Sequence, residues 1–351
     1  MDTSSLKGRG AADNPHNRFE LIRYEPLDDG DPDERPSPKT QFFRDTTRTI
    51  IATNDSPDII FDASINPYRG CEHGCIYCYA RPYHEYLGFS IGLDFETKIM
   101  VKEDAPALLR KELNSKKWKP QILGISGVTD AYQPIERRLQ ITRQCLEVLA
   151  EFRNPVTVVT KNRLVTRDID LLGELAKHQA ANVAIAVTTL DAELAHIMEP
   201  RATAPAGRLE AIRELSAAGI PTLVLIAPVI PGLTDHEIPA ILAAARDAGA
   251  HAAGYTMLRL PHGLPELFGD WLERHFPDRK EKVLSRVREM RGGEINDSRF
   301  SMRMRGEGPI ADTIKQLFEV TRRKLGYPGR APLSTAAFRR PNETPLLLFE
   351  E

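Results

Sequence analysis

The sequence predicts an α/β fold: a parallel sheet, curled or open, with helices outside it and a helical extension after it. Three observations predict it. Short apolar runs alternate with amphipathic segments from about residue 63 to residue 258. The runs are rich in β-branched residues, as in Val156–Thr160, which suits a buried strand. From Pro265 onward the strand runs cease while helical periodicity continues.

Taken in order, residues 1–50 are rich in Gly, Pro, Asp and Arg and show little periodicity. A mobile N-terminal segment is expected there, most polar over residues 28–34. The core is expected over 51–262. Ala63–Pro67 predicts the first strand and Ile122–Ser126 the second. Leu139–Phe152 follows as a helix, with Leu139, Cys145, Leu146 and Leu149 at roughly helical spacing. Val156–Thr160 is a strand and Asp168–His178 a helix. Val183–Thr189 is a strand, and Asp191–Met198 and Arg208–Ala218 are helices. Thr222–Ile226 is a strand, Asp235–Ala248 a helix and His251–Leu258 the last strand. These make about six β–α units. Sites on such sheets lie at the C-terminal ends of the strands. Glu266–Phe276, Arg279–Met290 and Ile310–Leu325 predict a helical extension over 263–330, with a tail at 331–351.

The chain has 351 residues, 41% hydrophobic and 27% charged, enough for one large core plus appendages. Apolar runs such as Leu223–Ile230 are far shorter than a membrane span. Asp2, Ser4, Lys7 and Arg9 show no signal-peptide pattern, so the expectation is a cytoplasmic protein with no membrane partner. A net charge of −2 does not announce nucleic acid, although a local basic face is compatible with it.

Four cysteines do not make a disulfide scaffold in a chain of this length. Three of them, Cys71, Cys75 and Cys78, form Cys-x3-Cys-x2-Cys. Three thiolates within eight residues wrap one cubane only where the backbone turns tightly, and Gly70 and Gly74 permit that turn. Ordinary electron-transfer clusters take four cysteines. Three ligands would leave one iron open. The competing reading is a zinc site with His73 as fourth ligand, strained in so short a loop, since zinc patterns bring a second, distant ligand pair. Cys145 reads as a small core residue inside its helix.

With Tyr77 just before the last cysteine, the motif resembles the signature of the radical-SAM superfamily. Asn66–Cys71 and Cys78–Arg81 resemble the branch that contains spore photoproduct lyase and its bacterial and archaeal relatives. The likeness continues through 93–98, 127–134, 160–162, 199–201, 227–235 and 302–308, and covers roughly residues 50–325. It implies a partial (β/α)6 radical-SAM barrel, a [4Fe–4S] cluster and S-adenosyl-L-methionine (SAM), with Cys71, Cys75 and Cys78 as cluster ligands and catalytic centre. It also implies SAM contacts at Tyr77, at Ser126, Gly127, Thr129 and Asp130 after the second strand, and at Thr160 and Lys161 after the third. Thr188 and Thr189 after the fourth strand, and Pro228 and Val229 after the fifth, complete the set. Ser126–Asp130 reads Ser-Gly-Val-Thr-Asp and departs from the Gly-Gly-Glu of many members. From the residues alone, Lys161 is equally a solvated loop lysine, Asp130 a turn or N-cap aspartate, and Glu199-Pro200-Arg201 a helix stop.

The likeness transfers no substrate. The repair lyase of spore formers relies on a cysteine placed after the cluster motif, and here none lies between Cys78 and Cys145. A nucleic acid or nucleotide substrate remains open, as does a peptide or small metabolite. A non-catalytic iron–sulfur or zinc protein is the reading from another class. Arg286, Arg288, Arg291, Arg299, Arg303, Arg305, Arg322, Arg323 and Lys324 make the C-terminal third locally basic. Glu281, Glu289, Glu294 and Glu307 are interleaved with them, as on a mixed solvated surface. A one-electron donor such as flavodoxin or ferredoxin is the partner that cluster chemistry implies.

Overall fold

A computed structural model describes residues 6–20, 38–59 and 61–341. Two short strands, β1 (Gln41–Arg44) and β2 (Ile51–Thr53), precede the main sheet. That sheet contains β3 (Ala63–Ile65), β6 (Leu123–Ile125), β7 (Val156–Thr160), β8 (Ala181–Ala186), β9 (Thr222–Val229) and β10 (Ala252–Met257). These six strands lie side by side in chain order and all pair in parallel. β2 adds an antiparallel edge on β3. Among the described residues β10 and β2 are the two edges, so the sheet is an open, partial (β/α)6 arrangement.

The hydrophobic pattern explains the layers. Val156, Val158, Val183, Ile185, Val224 and Ile226 are fully buried between strand neighbours and helices. The helices α4 (Ile141–Phe152), α5 (Ile169–Lys177), α7 (Pro205–Ala217) and α8 (Ile238–Asp247) cover the sheet with Leu146, Leu149, Leu172, Leu175, Ile212, Leu215, Ile241 and Leu242. Each such side chain contributes about 1.5–3 kcal/mol on burial. Cys145 lies fully buried in this core, as its helical position predicts.

A second sheet flanks the first. β5 (Lys98–Val101) pairs in parallel with β1 and antiparallel with β4 (Tyr68–Arg69). The helices α1 (Leu93–Thr97) and α2 (Ala105–Asn114) bracket β5, and α2 packs on α4. Beyond β10 come α9 (Leu264–His275), α10 (Pro277–Glu289), α11 (Met302–Arg305) and α12 (Gly308–Lys324). Leu264, Leu267, Phe268, Trp271, Val283 and Val287 form a second core that also holds Ile76 and Tyr77. α12 packs on α8 and α10, burying Ala311, Ile314 and Phe318 on one helical stripe.

Several expectations shift. β8 starts two residues before Val183 and ends at Ala186, so Thr188 and Thr189 follow it in the loop. Asp235–Glu237 forms a 3-10 turn before α8. Within the segment expected to be mobile, residues 9–17 pack on α1: Arg9, Ala11 and Asn17 are buried. Residues 1–5 and 21–37 of that expectation lie outside the described residues, as do 342–351 of the tail. Part of the basic C-terminal third is neutralised by ion pairs. Arg286 pairs with Asp235, Arg299 with Asp297 and Glu307, Arg303 with Asp58 and Arg322 with Glu319. Arg291 is buried and donates to the Leu258 carbonyl at 2.9 Å. No helix among the described residues is long and apolar enough to cross a membrane.

Candidate functional site

The cysteine loop begins directly after β4 and runs beneath the C-terminal ends of the main strands. Gly70 and Gly74 hold it at φ 76° and 68°. A Cβ on Gly74 would lie 2.7 Å from a Glu96 carboxylate oxygen, so glycine is required there for space as well as for φ. Cys71 N–H donates to the Phe95 carbonyl at 2.9 Å, Ile76 N–H to Met198 at 3.0 Å and Cys78 N–H to Cys75 at 3.2 Å. Glu72 points away from the thiols. It accepts from Ile135 N–H at 2.7 Å and pairs with Arg201 at 3.1 Å.

Cys71 and Cys75 are buried and Cys78 is half-buried. Burial, reinforced by Glu199, pushes the Cys75 thiol well up, against the pull of Lys161. Burial also pushes Cys78 up to about 11, with Cys71 adding to the rise and the Ala80 N–H opposing it. Cys75 and Cys78 therefore do not ionise readily on their own. A metal charge is the group that would compensate three thiolates in such a place. Among the described residues no three His, Cys, Asp or Glu side chains converge to hold a single metal ion. A single zinc needs every sulfur about 2.3 Å from one point, whereas a cubane offers a separate iron to each thiolate.

His73 sits fully buried behind Cys71. Its Nδ1 is 3.4 Å from Asp130 and its Nε2 is 3.2 Å from the Asn162 side-chain nitrogen. Burial opposes a charge on His73, while Asp130 and Cys71 outweigh it and push the ring up to about 10. The hydrogen bonds point the other way. Asn162 Oδ1 accepts from Leu164 N–H at 3.0 Å and from the Thr203 hydroxyl at 3.1 Å, so its amide nitrogen faces His73 as donor. Nε2 must then carry a lone pair, and we assign a neutral ring with its proton on Nδ1 toward Asp130.

Asp130 itself is saturated. It accepts from the Thr160 hydroxyl at 2.7 Å, Lys161 N–H at 2.8 Å and Tyr132 N–H at 2.9 Å. Burial raises its pKa, but His73 and the donated hydrogen bonds overcome that and hold the carboxyl below its usual range. Thr129 donates to the Tyr68 carbonyl at 3.2 Å, and Thr189 donates to Glu237 at 2.5 Å. Ser126 takes the left-handed φ of 79° and accepts from Ala131 N–H at 2.9 Å. The Gly127 carbonyl accepts from the Tyr79 hydroxyl at 2.7 Å. Val229 is buried in the main core and Pro228 is half-buried before it.

Besides Asp130 with Thr160 and Lys161, the sequence-based residues Tyr77, Lys161 and Thr188 meet on Glu199. Tyr77 donates its hydroxyl to Glu199 Oε1, and Thr188 donates to the same oxygen at 2.8 Å. Lys161 Nζ lies 3.6 Å from it, 3.0 Å from the Ala227 carbonyl and 5.7 Å from the centre of the Tyr77 ring. The Arg208 guanidinium pairs with Glu199 Oε2. Burial pushes Lys161 down to about 8, and Cys75 pulls the other way. From the sequence, Glu199 reads as a ligand-facing loop residue or a helix stop and His73 as a fourth zinc ligand, while Arg208 carries no signal. The available signal was Glu199-Pro200-Arg201 directly after an amphipathic helix, which leaves a carboxylate at the helix end to be satisfied.

Residues 65–245, just over half of the chain, match the model of the Radical SAM superfamily. An uncharacterized protein of Mycobacterium tuberculosis (strain ATCC 25618 / H37Rv) is 36% identical over 232 residues, covering 66% of this chain and 67% of that one. An uncharacterized protein of Methanocaldococcus jannaschii is 32% identical over 173 residues, covering 49% of this chain and 62% of its own. Among solved structures, spore photoproduct lyase complexed with dinucleoside spore photoproduct superposes with a TM-score of 0.53 at 16% identity, over 81% of this chain and 78% of that one. The chain is an enzyme of the radical SAM superfamily.

Proposed function

We propose that Cys71, Cys75 and Cys78 hold three irons of a [4Fe–4S] cluster whose fourth iron is left for SAM. The single observation that carries this reading is the trio of thiols, two buried and one half-buried, on a tight glycine-hinged loop. When bound, the cluster supplies one electron that cleaves SAM reductively and releases a 5′-deoxyadenosyl radical. The chain's own residues bind and orient. Gly74 lets the loop pass against Glu96. Lys161 stands close to Cys75 and would pair with a SAM carboxylate, and Tyr77 and Thr188 hold their positions through Glu199. Asp130, Thr129 and Thr189 already direct their side chains at protein partners, so we assign them to building the strand rim. Ser126, Gly127, Thr160, Pro228 and Val229 would meet SAM through backbone or apolar surface.

The test is anaerobic reconstitution. Wild type is expected to take up about four iron, to absorb near roughly 400 nm as iron–sulfur clusters do, and to form 5′-deoxyadenosine after dithionite reduction. Dithionite stands in for a one-electron donor such as flavodoxin or ferredoxin. Cys75→Ala should abolish the product while leaving far-UV circular dichroism unchanged. Undiminished product in the variant overturns the ligand assignment, and stoichiometric zinc without iron returns the zinc reading.

The substrate we infer is a nucleic acid or nucleotide. Tyr79, Tyr83 and Tyr86 follow the last cysteine and are exposed. The Arg259 guanidinium lies 5.5 Å over the Tyr79 ring. Exposed aromatic rings with arginine suit base stacking. Binding of a labelled oligonucleotide to the loaded protein should weaken steeply between about 50 and 200 mM salt. Absent or salt-insensitive binding favours the peptide or metabolite reading.

A further inference from the structure

Residues 9–17 lie along α1 and the cysteine loop, and several of their polar groups are engaged there. Gly10 N–H and Ala11 N–H donate to the two Glu96 carboxylate oxygens at 3.0 and 2.9 Å. Arg9 is buried and donates to the Glu96 carbonyl at 3.2 Å and the Pro38 carbonyl at 2.7 Å. The Asp13 carbonyl accepts from Leu93 N–H at 3.0 Å. Asn14 and Asp94 exchange two hydrogen bonds at 2.8 and 3.0 Å, and the Ser90 hydroxyl donates to the Pro15 carbonyl at 2.5 Å. Asn17 donates to the carbonyls of Glu85 and Phe89.

Glu96 passes this engagement to the thiols. It is fully buried and accepts from Arg81 at 2.5 Å. Arg81, also fully buried, donates to the carbonyls of Cys75 at 2.9 Å and Gly74 at 3.2 Å. Gly10 meets the same loop directly, since a Cβ on it would stand 1.9 Å from the Gly74 carbonyl oxygen. Ala11 packs in one core with Cys75, Ile76 and Tyr77. Without the two amides of Gly10 and Ala11, the buried Glu96 carboxylate would have fewer donors than its lone pairs require, and its hold on Arg81 would loosen.

We propose that residues 9–17 are a strap that sets the conformation of the cysteine loop through Glu96 and Arg81, so that strap docking and cluster retention are one coupled equilibrium. Glu96, Arg81 and Gly10 are positioning residues: they touch the loop backbone, and the strap acts on the cluster only through it. Coupling is reciprocal, so a loaded cluster stabilises the docked strap as much as the docked strap stabilises the loaded cluster.

The inference rests on the cluster reading above, and its test keeps the two apart. Full-length wild type, Gly10→Val, Glu96→Gln and a remote control, Gly173→Ala, whose added Cβ meets nothing within 4 Å, are reconstituted anaerobically. Iron per chain is measured, then the rate of iron release to a chelator. Gly10→Val and Glu96→Gln are expected to release iron at least about tenfold faster than wild type, a tenfold change being about 1.4 kcal/mol. Gly173→Ala should match wild type. Release within twofold of wild type in both strap variants overturns the proposal. Wild type that takes up no iron defeats the cluster reading instead. A variant that fails to fold is bypassed by hydrogen–deuterium exchange on wild type. Amides of 9–17 should gain protection together with those of 71–78 when the cluster is loaded. Equal protection of 9–17 in apo and loaded protein refutes the coupling.

Discussion

Glu199→Ala is expected to destabilise the apo protein by about 4–6 kcal/mol. Two parts make up that magnitude. The larger is the pair with Arg208, whose side chain is 1% exposed. Losing the carboxylate leaves a buried guanidinium whose remaining partners are the Thr203 carbonyl at 2.6 Å and the Ala186 carbonyl at 3.1 Å. Breaking a buried pair from one side costs about 3–5 kcal/mol. The smaller part comes from the hydroxyls of Tyr77 and Thr188. Each retains an alternative partner, the other hydroxyl at 3.3 Å or, for Thr188, the Ala227 carbonyl at 3.3 Å. Their penalty therefore sits at the low end of about 1–3 kcal/mol for an unmade buried hydrogen bond. The assay is anaerobic guanidinium denaturation of apo protein, followed by far-UV circular dichroism and by the fluorescence of buried Trp271, with linear extrapolation to water. The double variant Glu199→Leu/Arg208→Leu removes both charges together. It should recover most of the loss, because an apolar replacement of a whole buried ion pair is commonly neutral or stabilising. A single-variant cost below about 1 kcal/mol, or a double variant equal to the sum of the two singles, refutes the reasoning.

Three further outcomes follow from particular contacts. Cys145→Ser should keep the cluster absorbance and SAM cleavage, since Cys145 lies in the main core away from the thiol trio; it should cost about 1–3 kcal/mol of stability by burying a hydroxyl, and loss of iron would contradict its core assignment. His84 is held down to about 4 by burial, so the folded ring is neutral while the unfolded one charges near its ordinary value; stability is then fully present above about pH 7 and falls as pH drops toward 4, by up to about 3 kcal/mol, and His84→Phe should flatten that slope in urea titrations of apo protein, an unchanged slope counting against it. A Cβ on Gly124 would meet the Phe61 ring at 2.5 Å, so Gly124→Ala should destabilise by about 1–3 kcal/mol, with Phe61→Leu in the same chain recovering part of it in thermal melts.

The elements legible in the sequence are those whose stability comes from a single repeating pattern. β7 is a run of β-branched residues buried on both faces, and α4 and α12 show one apolar stripe each, so periodicity finds them within two or three residues. β1 is different. Its four residues are exposed, and it is held by its pairing with β5, whose first residue lies 57 positions beyond Gln41. No local pattern encodes that pairing. The cysteine triad was legible because its three thiols fall within eight residues beside Gly70 and Gly74. Asp130 was located correctly at a strand end, but its side chain turns to Thr160, Lys161 and His73, since a buried carboxylate takes whatever donors its neighbours present.

The same physics explains why the polar buttress of the site escaped detection. Residues 9–17 carry the glycine, asparagine and proline of a flexible segment, and composition argues for mobility when a segment has too little apolar surface to order itself. Here order is imposed from outside. Glu96 and Arg81 are buried charges that need donors and acceptors, and the chain that satisfies Glu96 arrives from more than 80 residues away. Glu199 and Arg208 repeat the logic nearer in sequence, where a carboxylate at the end of α6 (Ala192–Met198) is matched by a guanidinium on α7. In both cases a carboxylate is the centre of a buried network next to the thiols. A charged residue buried beside a chemical motif is therefore a candidate for holding the motif's backbone wherever it stands in the chain, and Glu96→Gln and Glu199→Ala separate that role from a solvated one by what they do to iron release and to folding.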